Sequence, residues 1–268
     1  MSEQTKRVVI HGAGGRMGGR LTALAQSAGL TVAAAIDRAG HPRLGDDAGG
    51  VAGGEPLGVA LSSDWPAADA EVDAVIDFSS PAGLRPAIDR CVAAGWPLVV
   101  GTTGLTDADR AKLDAAAETI PVLKASNFSR VVNVLWKLAA DAARMLGPGY
   151  DLEVLEAHHR FKQDAPSGTA LTLVKTLCEA TGRDFDHDVV YARHGDAPRK
   201  DQDITVQTLR IGDDPGQHTA YFAGLGERLE IRHVSTSRDS YATGALDAAR
   251  WLMAKPAGRY AIGDVLGF

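Results

Sequence analysis

Cysteine is scarce: Cys91 and Cys178 are the only two in 268 residues. They stand far apart, outside any C-x-x-C or Cys/His spacing, so neither a disulfide framework nor a zinc site is indicated, and both thiols are expected to be reduced and structural. Basic residues are outnumbered, 28 Lys and Arg against 34 Asp and Glu, and the net charge of −6 argues against a nucleic-acid or anionic-membrane partner, which needs an extended basic face. A small anion needs only a local positive pocket. No apolar run approaches the roughly 20 residues of a membrane span. Residues 1–7 are polar, without the apolar core of a secretory signal, so a cytoplasmic protein is expected. Internal repeats and low-complexity tracts are lacking too, although residues 40–56 are glycine-rich and read as a loop.

What remains is an ordinary globular composition, 45% apolar and 23% charged, long enough for one large domain or two modest ones. Residues 7–11 form a short buried-type strand. It runs into Gly12-Ala13-Gly14-Gly15-Arg16-Met17-Gly18 and then a helical pattern through Leu21, Leu24 and Ala25. Strand, glycine turn and helix follow in the order a pyrophosphate site needs: Gly12 for the turn, Gly14 and Gly15 for close backbone approach, Gly18 for helix-on-strand packing. The spacing is G-x-x-G-x-x-G rather than G-x-G-x-x-G. A second strand, residues 31–36, ends at Asp37-Arg38, and Asp37 follows Gly18 by 19 residues, near where a Rossmann fold places its ribose-reading carboxylate. Asp37 suits the ribose hydroxyls of NADH and Arg38 the 2′-phosphate of NADPH, so either cofactor is expected.

Further short apolar strands at residues 72–78, 97–100 and 121–124 alternate with helices at 82–94 and from Thr106 onward. That alternation predicts an α/β fold whose N-terminal part is a Rossmann-type, doubly wound parallel sheet, with ligands beyond the carboxyl ends of the strands. Two polar segments fall at such ends. Gly101-Thr102-Thr103 offers close backbone access and hydroxyls for the nicotinamide ribose or amide, or is a plain turn before a helix. Ala125-Ser126-Asn127-Phe128 leads into a helix over residues 129–145, stopped by Gly147-Pro148-Gly149.

The domain change is placed at the start of that helix. A dinucleotide-binding domain of residues 1–129 plus 239–268 is expected, and a substrate-binding and oligomerisation domain of α+β type over 130–238. In the latter, a strand over residues 150–156 delivers Glu156-Ala157-His158-His159-Arg160-Phe161-Lys162-Gln163-Asp164-Ala165-Pro166-Ser167-Gly168-Thr169-Ala170. Strand alternation sends His158 and His159 to opposite faces. Pro166-Ser167-Gly168-Thr169 starts a helix reaching about residue 180, and the amides of its first turn suit a carboxylate or phosphate. Residues 184–201 read as irregular; Asp186-His187-Asp188 lacks further spaced ligands, so no metal site is indicated. Strand-like runs at residues 204–209, 218–222 and 228–233 suggest an antiparallel sheet, one face of which could build an oligomer interface. A final helix over 240–253 returns the chain to the first domain.

The run from Glu156 to Ala170 closely resembles the E-x-H-H-x-x-K-x-D-[AS]-P-S-G-T-A signature of the bacterial dihydrodipicolinate reductase family. The glycine turn is similar to that family's G-x-G-G-R-M-G, and similar segments extend over nearly the whole chain, among them Arg210-Ile211-Gly212-Asp213, Gly226-Glu227-Arg228-Leu229-Glu230 and Ser237-Arg238. The resemblance implies reduction of dihydrodipicolinate (4-hydroxy-tetrahydrodipicolinate) to tetrahydrodipicolinate by NADH or NADPH, in diaminopimelate and lysine synthesis. It implies His158 as acid/base, Lys162 as proton donor, and His159, Gly168 and Thr169 as contacts to a small anionic dicarboxylate. By the same resemblance Gly12 to Met17, the Asp37-Arg38 pair, Gly101 to Thr103 and Ala125 to Phe128 hold the cofactor. Hinges near Ser129-Arg130 and Arg238-Asp239, and a homotetramer through the second domain's sheet, are implied as well. Another two-domain dehydrogenase, or a cofactor sensor that kept only the Rossmann half, would not need the histidine and lysine run.

Overall fold

The computed structural model describes residues 5–268. In chain order the elements are β1 (Lys6–His11), α1 (Arg16–Ala25), β2 (Leu30–Ile36), α2 (Ala48–Val51), β3 (Leu61–Ser62), β4 (Ala74–Asp77), α3 (Pro81–Ala94), β5 (Leu98–Val100), α4 (Asp107–Ala117) and β6 (Pro121–Lys124). There follow α5 (Arg130–Leu146), β7 (Asp151–His158), α6 (Gly168–Thr181), β8 (Val189–Tyr191), β9 (Ile204–Arg210), β10 (Gly216–Ala223) and β11 (Arg228–Ser235). The chain closes with α7 (Asp239–Leu252), β12 (Gly258–Tyr260) and α8 (Ile262–Leu266). They gather into two compact units, one of residues up to Ser129 with Asp239–Phe268, the other Arg130–Arg238.

The first unit is a seven-stranded sheet in the order β12-β6-β5-β4-β1-β2-β3, every neighbouring pair parallel. Both faces are covered, which explains the unbroken apolar runs of its strands. Val8 and Ile10 of β1 point to one side with Leu21 of α1 and Ala245, Leu246 and Ala249 of α7. Val9 points to the other, with Leu84 and Ile88 of α3 and Leu113 of α4. Local signals set the helix starts. Ser80 caps α3, its hydroxyl accepting from the Gly83 amide, with Pro81 as the first helical residue. Thr106 and Asp109 form a reciprocal capping box at α4. Successive connections leave β1 toward β2 on one side and return to β4 on the other, so the crevice beyond the β1 and β4 carboxyl ends is the switch point at which such sheets bind ligands.

The second unit is a five-stranded sheet, β11-β10-β7-β9-β8, and it corrects the antiparallel expectation. β10 is antiparallel to β7 and to β11, but β7 and β8 both run parallel to β9. The reason is the long excursion through α6 between β7 and β9, a crossover that returns the chain in the same direction, whereas the short β9–β10 and β10–β11 connections reverse it. β8 lies inside the stretch read as irregular; three residues are too few to show alternation. α5 and α6 pack on one face, where Leu152, Val154, Leu173, Val174, Leu177, Ile204, Val206 and Phe222 make the core. Along β7, Leu152, Val154, Glu156 and His158 share that face, and Glu153 and Leu155 take the other.

Candidate active site

The glycine turn of the first unit is built by close approach. Gly12 has φ +81°, its amide and that of Ala13 donate to the Ile36 carbonyl at 2.8 and 3.0 Å, and a Cβ on it would lie 2.5 Å from the Phe78 carbonyl oxygen. Gly18 is still tighter, since a Cβ there would come within 2.0 Å of the Gly12 carbonyl. Both positions therefore require glycine. Gly14 differs from expectation: the His41 imidazole occupies the space beside it, 2.4 Å from where a Cβ would stand. The cap of α1 is Gly15, which has no side chain to satisfy the first amides of the helix. The amides of the Arg16–Met17 turn and the positive helix end thus suit a pyrophosphate. At the end of β2, Asp37 accepts from the Gly14 amide and from the Arg38 amide, both at 2.8 Å. Arg38 is exposed beside it. These residues fit the pyrophosphate and adenosine half of a dinucleotide.

A polar bracket that sequence reasoning missed joins the carboxyl ends of β1, β4 and β5. The fully buried Asp77 accepts from Thr102 Oγ1 at 2.6 Å, from Ser79 Oγ at 2.6 Å, and pairs with His11 Nδ1 at 2.7 Å. Its residues lie far apart in sequence, and only the parallel register of β1 and β4, which sets His11 opposite Asp77, brings them together. The Thr102 hydroxyl is thereby engaged and 3% exposed, so its contribution to a ligand would come from backbone; Thr103 is exposed. The Phe78 ring fills the space next to Gly101, 2.3 Å from a Cβ position, and meets Phe128 at 5.5 Å. Phe128 is a core residue, 2% exposed, with its carbonyl against Gly244. Ala125 and Asn127 are also buried and Ser126 exposed; Asn127 Oδ1 accepts from the Ser129 amide at 2.8 Å.

In the second unit the histidine cluster is organised by a carboxylate. Glu156 is wholly buried, and Oε2 takes a 2.5 Å bond from His158 Nδ1. Arg210 Nη1 donates to both its oxygens at 3.1 and 3.2 Å, Thr208 Oγ1 to Oε1 at 3.2 Å, and the Ser167 amide to Oε1 at 3.1 Å. Burial pushes this carboxyl up, but the bonds and charges of His158 and Arg210 outweigh it and hold the group below its usual range. An ionised Glu156 fixes Nδ1–H of His158 as a donor and leaves Nε2 as the nitrogen free to pass a proton. Nε2 faces Gly216, whose missing side chain makes the room.

His158 ends β7, and the chain then turns: the His159 amide donates to the Asp214 carbonyl at 2.7 Å and that of Arg160 to Gly212 at 3.0 Å. The opposite-face expectation for the two histidines therefore meets a strand end rather than continued alternation. Lys162 bonds both oxygens of Asp164 at 2.7 and 2.9 Å, and that lysine holds the Asp164 carboxyl below its usual range. Arg210 also reaches the Asp164 carbonyl at 2.5 Å. Ser167 caps α6, accepting from the Ala170 amide at 3.1 Å. Gly168 is exposed and Thr169 half-buried at the mouth of that helix, where the first amides favour an anion. Arg210, His218 and Gly216 were missed as members of this cluster; only strand register collects them. Among the described residues no three His, Cys, Asp or Glu side chains are grouped so as to hold a metal ion, and no helix is long and apolar enough to cross a membrane.

A two-sided parallel sheet with a glycine turn at its switch point defines the first unit as a dinucleotide-binding domain of the oxidoreductase kind. Residues 6–128 match the model of the dihydrodipicolinate reductase N-terminus and residues 131–266 that of its C-terminus. The chain belongs to the dihydrodipicolinate reductase family. It is 49% identical over 264 residues to the 4-hydroxy-tetrahydrodipicolinate reductase of Anaeromyxobacter dehalogenans strain 2CP-1, covering 97% of each chain. To that of Alkalilimnicola ehrlichii it is 46% identical over 265 residues, covering 98% of this chain and 99% of the other. Its fold is similar to that of a dipicolinate-bound dihydrodipicolinate reductase from Paenisporosarcina sp. TG-14, with TM-score 0.72 at 22% identity, over 96% of this chain and 98% of that one. An amine dehydrogenase from Mycobacterium smegmatis shares the fold more loosely, with TM-score 0.58 at 15% identity over 97% and 96% of the two chains.

Proposed function

We infer that this chain catalyses NADH- or NADPH-dependent reduction of 4-hydroxy-tetrahydrodipicolinate to tetrahydrodipicolinate, in diaminopimelate and lysine synthesis. The observation that carries the reading is the Glu156–His158 pair beside the N-terminus of α6, in a family member whose other unit carries the glycine turn. When bound, the nicotinamide supplies a hydride. Within the first unit, the Gly12–Met17 turn takes the pyrophosphate and Asp37 with Arg38 takes the adenosine ribose, with or without its 2′-phosphate. Within the second, the amides of Gly168 and Thr169 and the imidazole of His159 bind a substrate carboxylate, as suits a dianion like the dipicolinate held by the Paenisporosarcina protein.

The 4-hydroxyl leaves as water to give the unsaturated dihydro ring, which takes the hydride; His158, oriented by Glu156, delivers a proton through Nε2 to the carbon or nitrogen made electron-rich by that addition, and Lys162 is the second cation able to do so. We further propose a cytoplasmic homotetramer assembled through the second sheet's face opposite α5 and α6, where Leu209 and Val234 are exposed. The test of the reaction is the decrease in NADH absorbance with purified protein and freshly prepared substrate; no oxidation with either cofactor rejects the assignment. Light scattering coupled to size exclusion tests the tetramer.

A further inference from the structure

A row of side chains crosses the second sheet on its helix-covered face. Strand register sets His233 of β11 opposite His218 of β10, His218 opposite Glu156 of β7, and Glu156 opposite Thr208 of β9. His218 is 1% exposed and His233 4%. Their rings stack at 5.8 Å, and His218 meets the edge of His158 at 5.2 Å. On its remaining side His218 Nε2 lies 3.2 Å from Ser167 Oγ. That hydroxyl accepts from the Ala170 amide and keeps both its proton and a second lone pair, so a neutral His218 can bond to it through Nε2 in either tautomer.

We propose that His218 is a positioning residue: by hydrogen bonding to Ser167 and packing against His158, it fixes the first turn of α6 relative to the acid imidazole. The inference rests on the functional reading above, in which that turn receives a substrate carboxylate. The surroundings agree with a neutral ring. Burial, reinforced by the His158 and His233 charges, pushes His218 down to about 3, against the opposing pull of Glu156; Lys162 adds to the lowering. Arg210, on β9, spends its charge on Glu156. His233 is likewise held low, by burial first and then His158. An imidazole there, rather than an apolar ring, is explained by the one bond to Ser167 that an apolar ring could not make.

The experiment uses the full chain and three variants, Ser167→Ala, His218→Phe and His218→Gln, with the double variant Ser167→Ala/His218→Phe. Loss of one such bond should raise the substrate KM and weaken dipicolinate binding, measured by calorimetry with NADH present, about tenfold. The KM for NADH should stay unchanged, the double variant should be no worse than Ser167→Ala, which also removes the α6 cap, and His218→Gln, whose amide can accept or donate, should recover most of the loss. An active wild-type protein whose Ser167→Ala and His218 variants bind dipicolinate normally, or whose two losses add, overturns the inference. A wild-type protein that neither oxidises NADH with substrate nor binds dipicolinate overturns instead the functional reading beneath it.

Discussion

Gly216 stands at the position where β10 passes His158, and a Cβ on it would come within 2.9 Å of the imidazole Nε2. Its φ of +151° also favours glycine. Gly216→Ala therefore pushes the ring off Glu156 at the nitrogen assigned to proton transfer. We expect kcat to fall about 100-fold, the order of loss seen when an acid/base is displaced, with NADH affinity unchanged by fluorescence titration; a fully active variant contradicts the assignment of Nε2.

His158→Gln keeps a hydrogen-bonding side chain of similar reach but has no proton to give. Turnover should fall at least 100-fold, a typical general-acid contribution, while NADH binding persists. Equal loss of cofactor affinity would mean that the residue does not act on substrate alone.

Arg38 is exposed next to Asp37, the residue proposed to read the ribose, whose carboxylate is held by the Gly14 and Arg38 amides. Removing a guanidinium that pairs with a phosphate costs only the cofactor that has one. For Arg38→Ala the KM for NADPH should rise about tenfold or more, corresponding to roughly 1.4 kcal/mol, and that for NADH should change less than about twofold. Parallel shifts for both cofactors would remove Arg38 from 2′-phosphate recognition.

The buried imidazoles set an acid limit. His218 falls from an ordinary 6.5 to about 3 on folding, so between those values the unfolded chain binds a proton the folded one refuses. Stability is accordingly complete above the ordinary histidine range and is lost as pH falls from about 6.5 toward 3; this one group removes about 2 kcal/mol by pH 5. Glu156, held low, adds its loss only as pH drops further, through the carboxylate range. Urea midpoints at pH 8, 6.5 and 5 should show the decline in wild type and a shallower one in His218→Gln; identical slopes would show that the ring titrates normally.

Gly18→Ala places a methyl group 2.0 Å from the Gly12 carbonyl, backbone against backbone, where no rotamer can relieve it. The cost should reach about 3 kcal/mol, the upper end for overpacking, read as a lower urea midpoint with loss of NADH binding. A variant as stable as wild type would show that the turn is not held in this geometry.

The parallel sheet was legible because each strand is apolar on both faces and each helix announces its start, as Ser80-Pro81 and Thr106 do. Direction in the second sheet was not: β9 and β10 have similar alternation, and only the length of the excursion through α6 makes one parallel to β7 and the other antiparallel. In the site, the contiguous run of residues 156–170 was readable as a unit, whereas Arg210, Gly216 and His218 join it by strand register over more than 40 residues. Thr102 shows the reverse limit. A hydroxyl at a strand end looks available to a ligand, and only the placement of Asp77 shows that its proton is already given.

The α7 helix covers one face of the first sheet, yet it is synthesised after the whole of the second unit. During translation Val8, Ile10, Ile76 and Val99 must wait beside α1 with one flank bare while more than 100 further residues emerge, so the nucleotide half completes its interior last. A nascent chain halted at Arg238 would thus expose apolar surface prone to aggregation even with its second unit already shaped.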